Sequence, residues 1–134
     1  MKVGLDTSVI LRLLTGEPEE QAKRALDEVQ ALIQQGSVLL VSDLVVSEVY
    51  FALQHHYGVP KSEALTLIDQ FLSDSGIQSI GAAATVLAVP NLATAKPGFI
   101  DRLIHAEYKS SAPEMLSFEK AAGRLSGVRV LSAE

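Results

Sequence analysis

The chain has 134 residues and a formal net charge of −5, with 11 Lys and Arg against 16 Asp and Glu. This length fits one domain with a real core, and a hydrophobic fraction of 48% excludes a disordered tail. The acidic balance argues against a protein that coats nucleic acid through its phosphates, but it is compatible with a nuclease whose metal site needs carboxylates. Because there is no cysteine, disulfides and thiolate metal sites are excluded, and we expect a cytoplasmic protein. We expect neither a signal peptide nor a membrane span.

Strand-like and helical patterns alternate from the start of the chain. Residues 2–14, KVGLDTSVILRLL, predict a buried strand that ends on Asp6 and turns at once into a helix. Two interpretations of Asp6 are open, because ligands bind where parallel strands end and because Asp also caps helices. Residues 17–35 predict an amphipathic helix with Pro18 in its first turn. The run VLLV at 38–41 predicts a strand buried on both faces.

The middle of the chain contains an acid on an apolar helix and a segment without charge. A helix is predicted over 44–53, and Glu48 has apolar neighbours on it. Its carboxylate needs a cation, a metal ion or water, since burial alone is costly. A further helix is predicted over 61–72. The segment 75–95, which has no charged residue, is either a buried core helix or a surface for a partner or a second copy.

The last third repeats the alternation of helix and strand. A helix is predicted over 99–109 with Asp101 in its first turn, where the helix dipole also favours an acid. A strand at 115–117, a short helix over 119–125 and a last strand at 128–131 follow. The whole pattern predicts an α/β fold with a mostly parallel sheet.

Four acids are expected at one edge of this sheet, because right-handed crossovers bring the carboxyl ends of parallel strands together. They are Asp6, Glu48, Asp101 and Glu119. Four adjacent carboxylates repel one another, and a divalent cation removes that repulsion. Oxygen donors alone favour Mg²⁺ or Mn²⁺, and such a site hydrolyses phosphodiesters.

The segments that carry these acids resemble PIN-domain ribonucleases, and most of all the VapC-type toxins of bacterial toxin–antitoxin pairs. They are LDTSVILRLL at Asp6, VVSEVYFAL at Glu48, FIDRLIHAEY at Asp101 and LSFEKAAGRLSGVRVL at the end. The resemblance covers nearly the whole chain. It implies one PIN-like domain over 1–134, with three layers and a mostly parallel central sheet of four to five strands between helices.

The resemblance also implies an activity and partners. The protein would be an endoribonuclease that needs Mg²⁺ or Mn²⁺ and a toxin held inactive by a small antitoxin. Separately, the charge-free segment 75–95 is a candidate for self-association, so we expect a homodimer. Asp6, Glu48 and Asp101 would be metal ligands that activate the attacking water. Ser8 matches a hydroxyl position that supports the first acid, and Ser117 matches the polar residue before the last acid.

Two positions depart from the family pattern. Glu119, the expected fourth ligand and catalytic acid, stands where the family usually has Asp, so its carboxylate lies one methylene further out. Gly98 stands where many members carry another Asp. A catalytically weak or inactive PIN-like binding module is therefore an alternative. A phosphatase with Asp6 as nucleophile is another, although Ser8 occupies the place of the second acid that such folds commonly have.

Other polar residues have simpler interpretations. We expect Asp43 to cap a helix and His105 to be a helix-surface or partly buried histidine. Three cations flank the last two acids and are candidates for RNA phosphate contacts or for ordinary surface charge: Arg102, Lys120 and Arg124.

Overall fold

The computed structural model describes residues 1–133, which form two compact units, residues 1–84 and the residues from 85 onward. Each unit combines helices with parallel strands, so the predicted α/β class is confirmed. The single domain over 1–134 remains a prediction.

The first unit alternates strands with pairs of helices. Its elements are β1 (Lys2–Gly4), α1 (Thr7–Thr15), α2 (Glu19–Gln34), β2 (Val38–Val41), α3 (Asp43–His55), α4 (Lys61–Leu72) and β3 (Ile77–Ser79). A short helix, α5 (Ala83–Leu87), begins at the end of this unit. The strands form a parallel sheet in the order β1-β2-β3. Because each crossover contains helices, all three strands run in the same direction.

The core of this unit lies on β2 and α3. In the apolar run VLLV, Leu39 is 0% exposed and Val41 is 1% exposed, as expected for the central strand of a parallel sheet. Val46, Val49 and Leu53 of α3 are among the most deeply buried side chains. Helix α3 packs against both α1 and α4.

Local sequence signals explain where α1 begins and ends. The Asp6 carboxylate accepts a hydrogen bond from the Thr7 amide at 2.8 Å, which caps the first turn. The helix ends at Gly16, whose φ of 72° is the left-handed conformation that glycine adopts without strain. Asp6 therefore caps a helix, as one interpretation expected, and a role of Asp6 in ligand binding remains a prediction.

The structure corrects several predicted boundaries in this unit. Strand β1 ends at Gly4, two residues before Asp6, and α2 begins at Glu19, because Pro18 has an extended ψ of 148° at the N-cap. The larger omission is β3, which lies inside the charge-free segment 75–95. Its three residues, IQS, are too short and too polar to stand out as a strand.

The second unit contains one long helix and a small sheet. Its elements are α6 (Phe99–Lys109), β4 (Met115–Ser117), a 3₁₀ helix (Lys120–Arg124) and β5 (Val128–Val130). Strands β4 and β5 pair in parallel. Helix α6 has the predicted bounds, whereas the helix predicted over 119–125 is a 3₁₀ helix that starts one residue later. Gly123 disfavours a regular α-helix there.

The charge-free segment contributes to the core at some positions and to the surface at others. Ala83 is 0% exposed and Val86 is 7% exposed, which supports the core interpretation for α5. Ile80, which follows β3, is 56% exposed. Over the described residues, no helix combines the length and apolar character needed to cross a bilayer.

Candidate active site

Thr7 joins the first two predicted acids. Its backbone N–H donates to Asp6 Oδ1, and its hydroxyl donates to Glu48 Oε1, each at 2.8 Å. Asp6 and Thr7 belong to the start of α1, whereas Glu48 lies 41 residues beyond Thr7, in the second turn of α3. The packing of α1 against α3 therefore brings two carboxylates to the same threonine.

Neither of these carboxylates is neutralised by a basic side chain. Both Asp6 and Glu48 are exposed, and the ion pairs found among residues 1–133 are Arg24–Glu28 and Arg129–Glu114. In the same part of the chain, no donor is seen at the second oxygen of either carboxylate. The site thus holds two negative charges in a fixed arrangement with free oxygens, which is an arrangement suited to a hard cation.

Asp43 is a carboxylate of a different kind, although it lies on the same helix as Glu48. Its two oxygens accept hydrogen bonds from the Ala82 amide at 2.8 Å and the Ala83 amide at 3.0 Å. Ser42 caps α3 itself, through the Val45 amide. Asp43 therefore caps a helix, as expected, but the helix is α5 and not its own.

The other two predicted acids lie in the second unit and are both exposed. Asp101 is in the first turn of α6, where the helix dipole favours a negative charge, and the N-cap Gly98 supplies no side-chain cap. Glu119 precedes the 3₁₀ helix, and its amide donates to Ser117 Oγ at 2.9 Å. Within the described part of this unit, no side chain bridges Asp101 and Glu119 by hydrogen bonds.

Two of the three candidate phosphate-binding cations are engaged by backbone carbonyls. Arg102 Nε donates to the Pro97 carbonyl at 2.7 Å, and Arg124 Nη1 donates to the Lys96 carbonyl at 3.0 Å. Both bonds hold the segment that precedes α6. Lys120 is exposed.

His105 has a structural contact within its own unit. Its Nε2 lies 2.7 Å from the Ser126 carbonyl, so this bond requires the proton on Nε2. The side chain is half-buried, in agreement with the expectation of a partly buried histidine.

Thr7, and not Ser8, is the hydroxyl that the structure joins to a predicted acid, and a role for Ser8 beside Asp6 remains a prediction. Ser8 is exposed and lines a groove with residues of α1 and α2, whereas Thr7 bonds Glu48. Successive helical residues point about 100° apart. Which hydroxyl of α1 bonds Glu48 therefore depends on the face that α1 turns towards α3. A family sequence pattern alone does not identify that face.

The donors present fit a divalent cation in type but are incomplete in number. Asp6 and Glu48 offer free carboxylate oxygens, as Mg²⁺ and Mn²⁺ prefer. Neither unit, over the residues described, contains a group of three His, Cys, Asp or Glu side chains placed to hold a metal. The geometry therefore supports two of the four predicted ligands, Asp6 and Glu48, as neighbours.

The chain was compared with known proteins. The family model of the PIN domain matches residues 3–125, a range that includes all four predicted acids. No curated protein and no solved structure matches the chain. PIN domains are generally metal-dependent nucleases, so a nuclease-type function follows from the match. Because the match covers most of the sequence, the chain belongs to the PIN domain family.

Proposed function

We propose that the protein is a metal-dependent endoribonuclease that hydrolyses RNA phosphodiester bonds in the cytoplasm, as the toxin of a type II toxin–antitoxin pair. The observation that carries this proposal is the Thr7 bridge between Asp6 and Glu48. In a chain of a nuclease family, the Thr7 hydroxyl holds Glu48 across 41 residues while the Thr7 amide holds Asp6, and neither acid has a cationic partner among the described residues. Asp43 differs, because both of its carboxylate oxygens accept backbone amides, whereas Asp6 and Glu48 each use one oxygen.

The residues that would hold the metal are Asp6, Glu48 and Asp101, with Glu119 as the fourth. A bound Mg²⁺ or Mn²⁺ would polarise a phosphoryl oxygen and lower the pKa of a bound water. The contribution of the chain is to orient the ligands: the Thr7 hydroxyl restricts Glu48, and its amide restricts Asp6. Because these bonds each use one carboxylate oxygen, the other oxygen of each acid remains for the cation.

Cleavage of single-stranded RNA tests the proposal most directly. Purified protein is assayed in Mg²⁺, in Mn²⁺ and in chelator, beside Asp6→Asn and the control Asp69→Asn. Asp69 is an exposed acid of α4 outside the predicted set. We expect cleavage that needs metal, is lost in Asp6→Asn and is unchanged in Asp69→Asn. Metal-independent cleavage, or equal activity of the two variants, would contradict the proposal.

An apolar groove between β1, α1 and α2 is the surface that we assign to the antitoxin. It has a volume of about 580 Å³, and Val3, Leu5 and Val9 are among its lining residues. Its rim is charged, with Arg12, Arg24, Glu20 and Glu28. An apolar floor within a rim of both charges suits an amphipathic peptide segment. Ala25→Asp, at a half-buried lining position of α2, should abolish toxin neutralisation, and unchanged neutralisation would contradict this assignment.

The homodimer that we propose can be tested at Ile80, whose side chain is exposed in the charge-free segment. Ile80→Lys should lower the mass measured by sedimentation, because a charge in an apolar interface is costly. A charge at Val86 would test folding instead, since that side chain is buried. An unchanged mass for Ile80→Lys would exclude this surface from the interface.

A binding or regulatory module without catalysis is the second candidate function. The observation that favours it is the absence, in either unit as far as residue 133, of three metal-ligating side chains in one group. Calorimetric titration with Mn²⁺ discriminates the two candidates. No binding at millimolar Mn²⁺, together with no cleavage, would favour the module.

A further inference from the structure

One face of α3 exposes apolar and aromatic groups beside Glu48. Leu44 is 76% exposed and Phe51 is 56% exposed. With Glu48 and His55 they are spaced four, three and four residues apart, so they share a single face of the helix. Large apolar side chains this exposed on a helix whose other faces pack in the core indicate contact with another molecule.

This face borders an open pocket that includes part of the candidate active site. The pocket has a volume of about 380 Å³, within the range of about 300–1,000 Å³ typical of small-ligand sites. Its lining includes Thr7 and Glu48, the two residues joined by the hydroxyl bond, as well as Phe51 and His56. Any ligand group lying on Phe51 is therefore next to a carboxylate of the proposed metal site.

Two imidazoles support the Phe51 ring. The His55 ring lies 4.3 Å away between centroids, tilted by 36°, and the His56 ring lies 6.1 Å away at an interplanar angle of 72°. Such contacts restrict the ring without covering it, since more than half of Phe51 stays accessible. The two imidazoles therefore hold the Phe51 ring in place and leave it accessible to a ligand.

The charges around this surface discriminate between occupants. A protein partner that covered Phe51 would also have to cover the adjacent Glu48, which has no cationic partner among the described residues. A nucleobase needs only the ring face and leaves Glu48 free to hold the metal of the proposed site. No Lys or Arg is among the residues that line this pocket, so phosphate contacts cannot supply the binding energy there.

We propose that Phe51 is the base-stacking residue of this protein, which holds a nucleobase of single-stranded RNA next to Glu48. The inference rests on the proposed nuclease function, since RNA is taken as its substrate. Base stacking on aromatic rings tolerates any base sequence, because every base has a π-face. Phe51 thus contributes to substrate affinity and positioning, with no part in the chemical step.

Intrinsic fluorescence tests the proposal because the chain contains no tryptophan. Phe51→Trp places a single indole in the pocket, and Asp6→Asn in the same protein prevents cleavage. A short single-stranded RNA is titrated in, and we expect the indole emission to be quenched as the RNA binds. The matched control is Leu26→Trp, at a 47% exposed position of α2 outside this pocket, which should not be quenched.

Steady-state kinetics of Phe51 variants that keep the native Asp6 distinguish a loss of base stacking from a loss of folded protein. Phe51→Leu keeps an apolar side chain without an aromatic face and should raise KM roughly ten- to a hundredfold, with kcat within about twofold. Phe51→Tyr keeps the ring face and should restore a KM close to that of the native protein. Equal KM values for the two variants would overturn the proposal.

The outcomes for the two proposals can be told apart. Metal-dependent cleavage by the native protein with no quenching of Phe51→Trp would overturn the stacking role and leave the nuclease intact. Quenching without any cleavage would support the stacking role and contradict the nuclease. Emission that changes with protein concentration and not with RNA would assign this surface to a second copy of the chain and overturn the proposal.

Discussion

Helix α3 carries two acids five residues apart, and their surroundings divide them into different roles. Asp43, at its first residue, is satisfied by two backbone amides, those of Ala82 and Ala83. Glu48 receives one hydroxyl hydrogen bond and is exposed. We therefore expect the same helix to supply one carboxylate for architecture and another for chemistry. What distinguishes them is the number of donors that the fold brings to each.

The largest expected effect is on catalysis, at Glu48. Glu48→Gln should reduce RNA cleavage about a thousandfold, or about 4 kcal/mol, because a neutral amide no longer stabilises the metal. Its midpoint of thermal unfolding should change little, since the site is exposed. Initial rates in Mn²⁺ and a melting curve measure the two quantities. A stable variant with native activity would remove Glu48 from the site.

Asp43 should respond in the opposite way. Asp43→Asn weakens the hydrogen bonds to Ala82 and Ala83 and should lower the free energy of unfolding by about 2 kcal/mol. The folded fraction should keep its activity. Urea unfolding beside Asp69→Asn, an exposed control on α4, measures the difference. If Asp43→Asn lost activity without losing stability, the division of roles would be wrong.

Thr7 tests whether the single hydroxyl bond orients Glu48. Thr7→Val preserves the shape of the side chain but removes the donor, and it should reduce cleavage about tenfold through loss of orientation. The loss of stability should be about 1 kcal/mol, as for a typical hydrogen bond. Thr7→Ser should restore most of the activity. Equal rates for the valine and serine variants would show that the bond is incidental.

The smallest expected effect involves Tyr50 and appears only at high pH. Burial raises the pKa of its phenol from 10.0, and a hydrogen bond with Gln54 partly opposes this. Because the proton is held more tightly in the folded protein, this group's contribution to stability is fully present below pH 10 and is lost as pH rises above it. Tyr50→Phe should therefore lose less stability between pH 9 and pH 11, as measured by urea unfolding. An identical pH dependence would contradict this.

The sequence was informative wherever a signal is local. The apolar run of β2, the periodic pattern of α2 and the bounds of α6 all follow from residues that are neighbours along the chain. The position of Asp6 after a strand and at a helix start was predictable for the same reason. Strand β3 was missed because three residues of mixed polarity acquire strand character from pairing with β2.

The contacts that give Glu48 and Asp43 their different surroundings could not be predicted, because they join distant parts of the chain. Thr7 meets Glu48 across 41 residues, and Asp43 meets Ala82 across 39 residues. Both contacts depend on how helices rotate against each other as they pack. A pattern of residue types identified the acids as candidates, but it gave neither the donor that each would find nor the exposure of Phe51.

Gly81 has a consequence for how this sequence can vary. A Cβ at this position would overlap the Asp43 carboxylate, which approaches the backbone closely to reach Ala82 and Ala83. Alanine at position 81 is therefore excluded while Asp43 keeps this arrangement, and it becomes sterically possible only once residue 43 is small. We expect the two positions to covary among relatives, and Gly81→Ala to be less harmful in combination with Asp43→Ala than alone. Positions 43 and 81, which lie 38 residues apart, are therefore expected to change together in evolution.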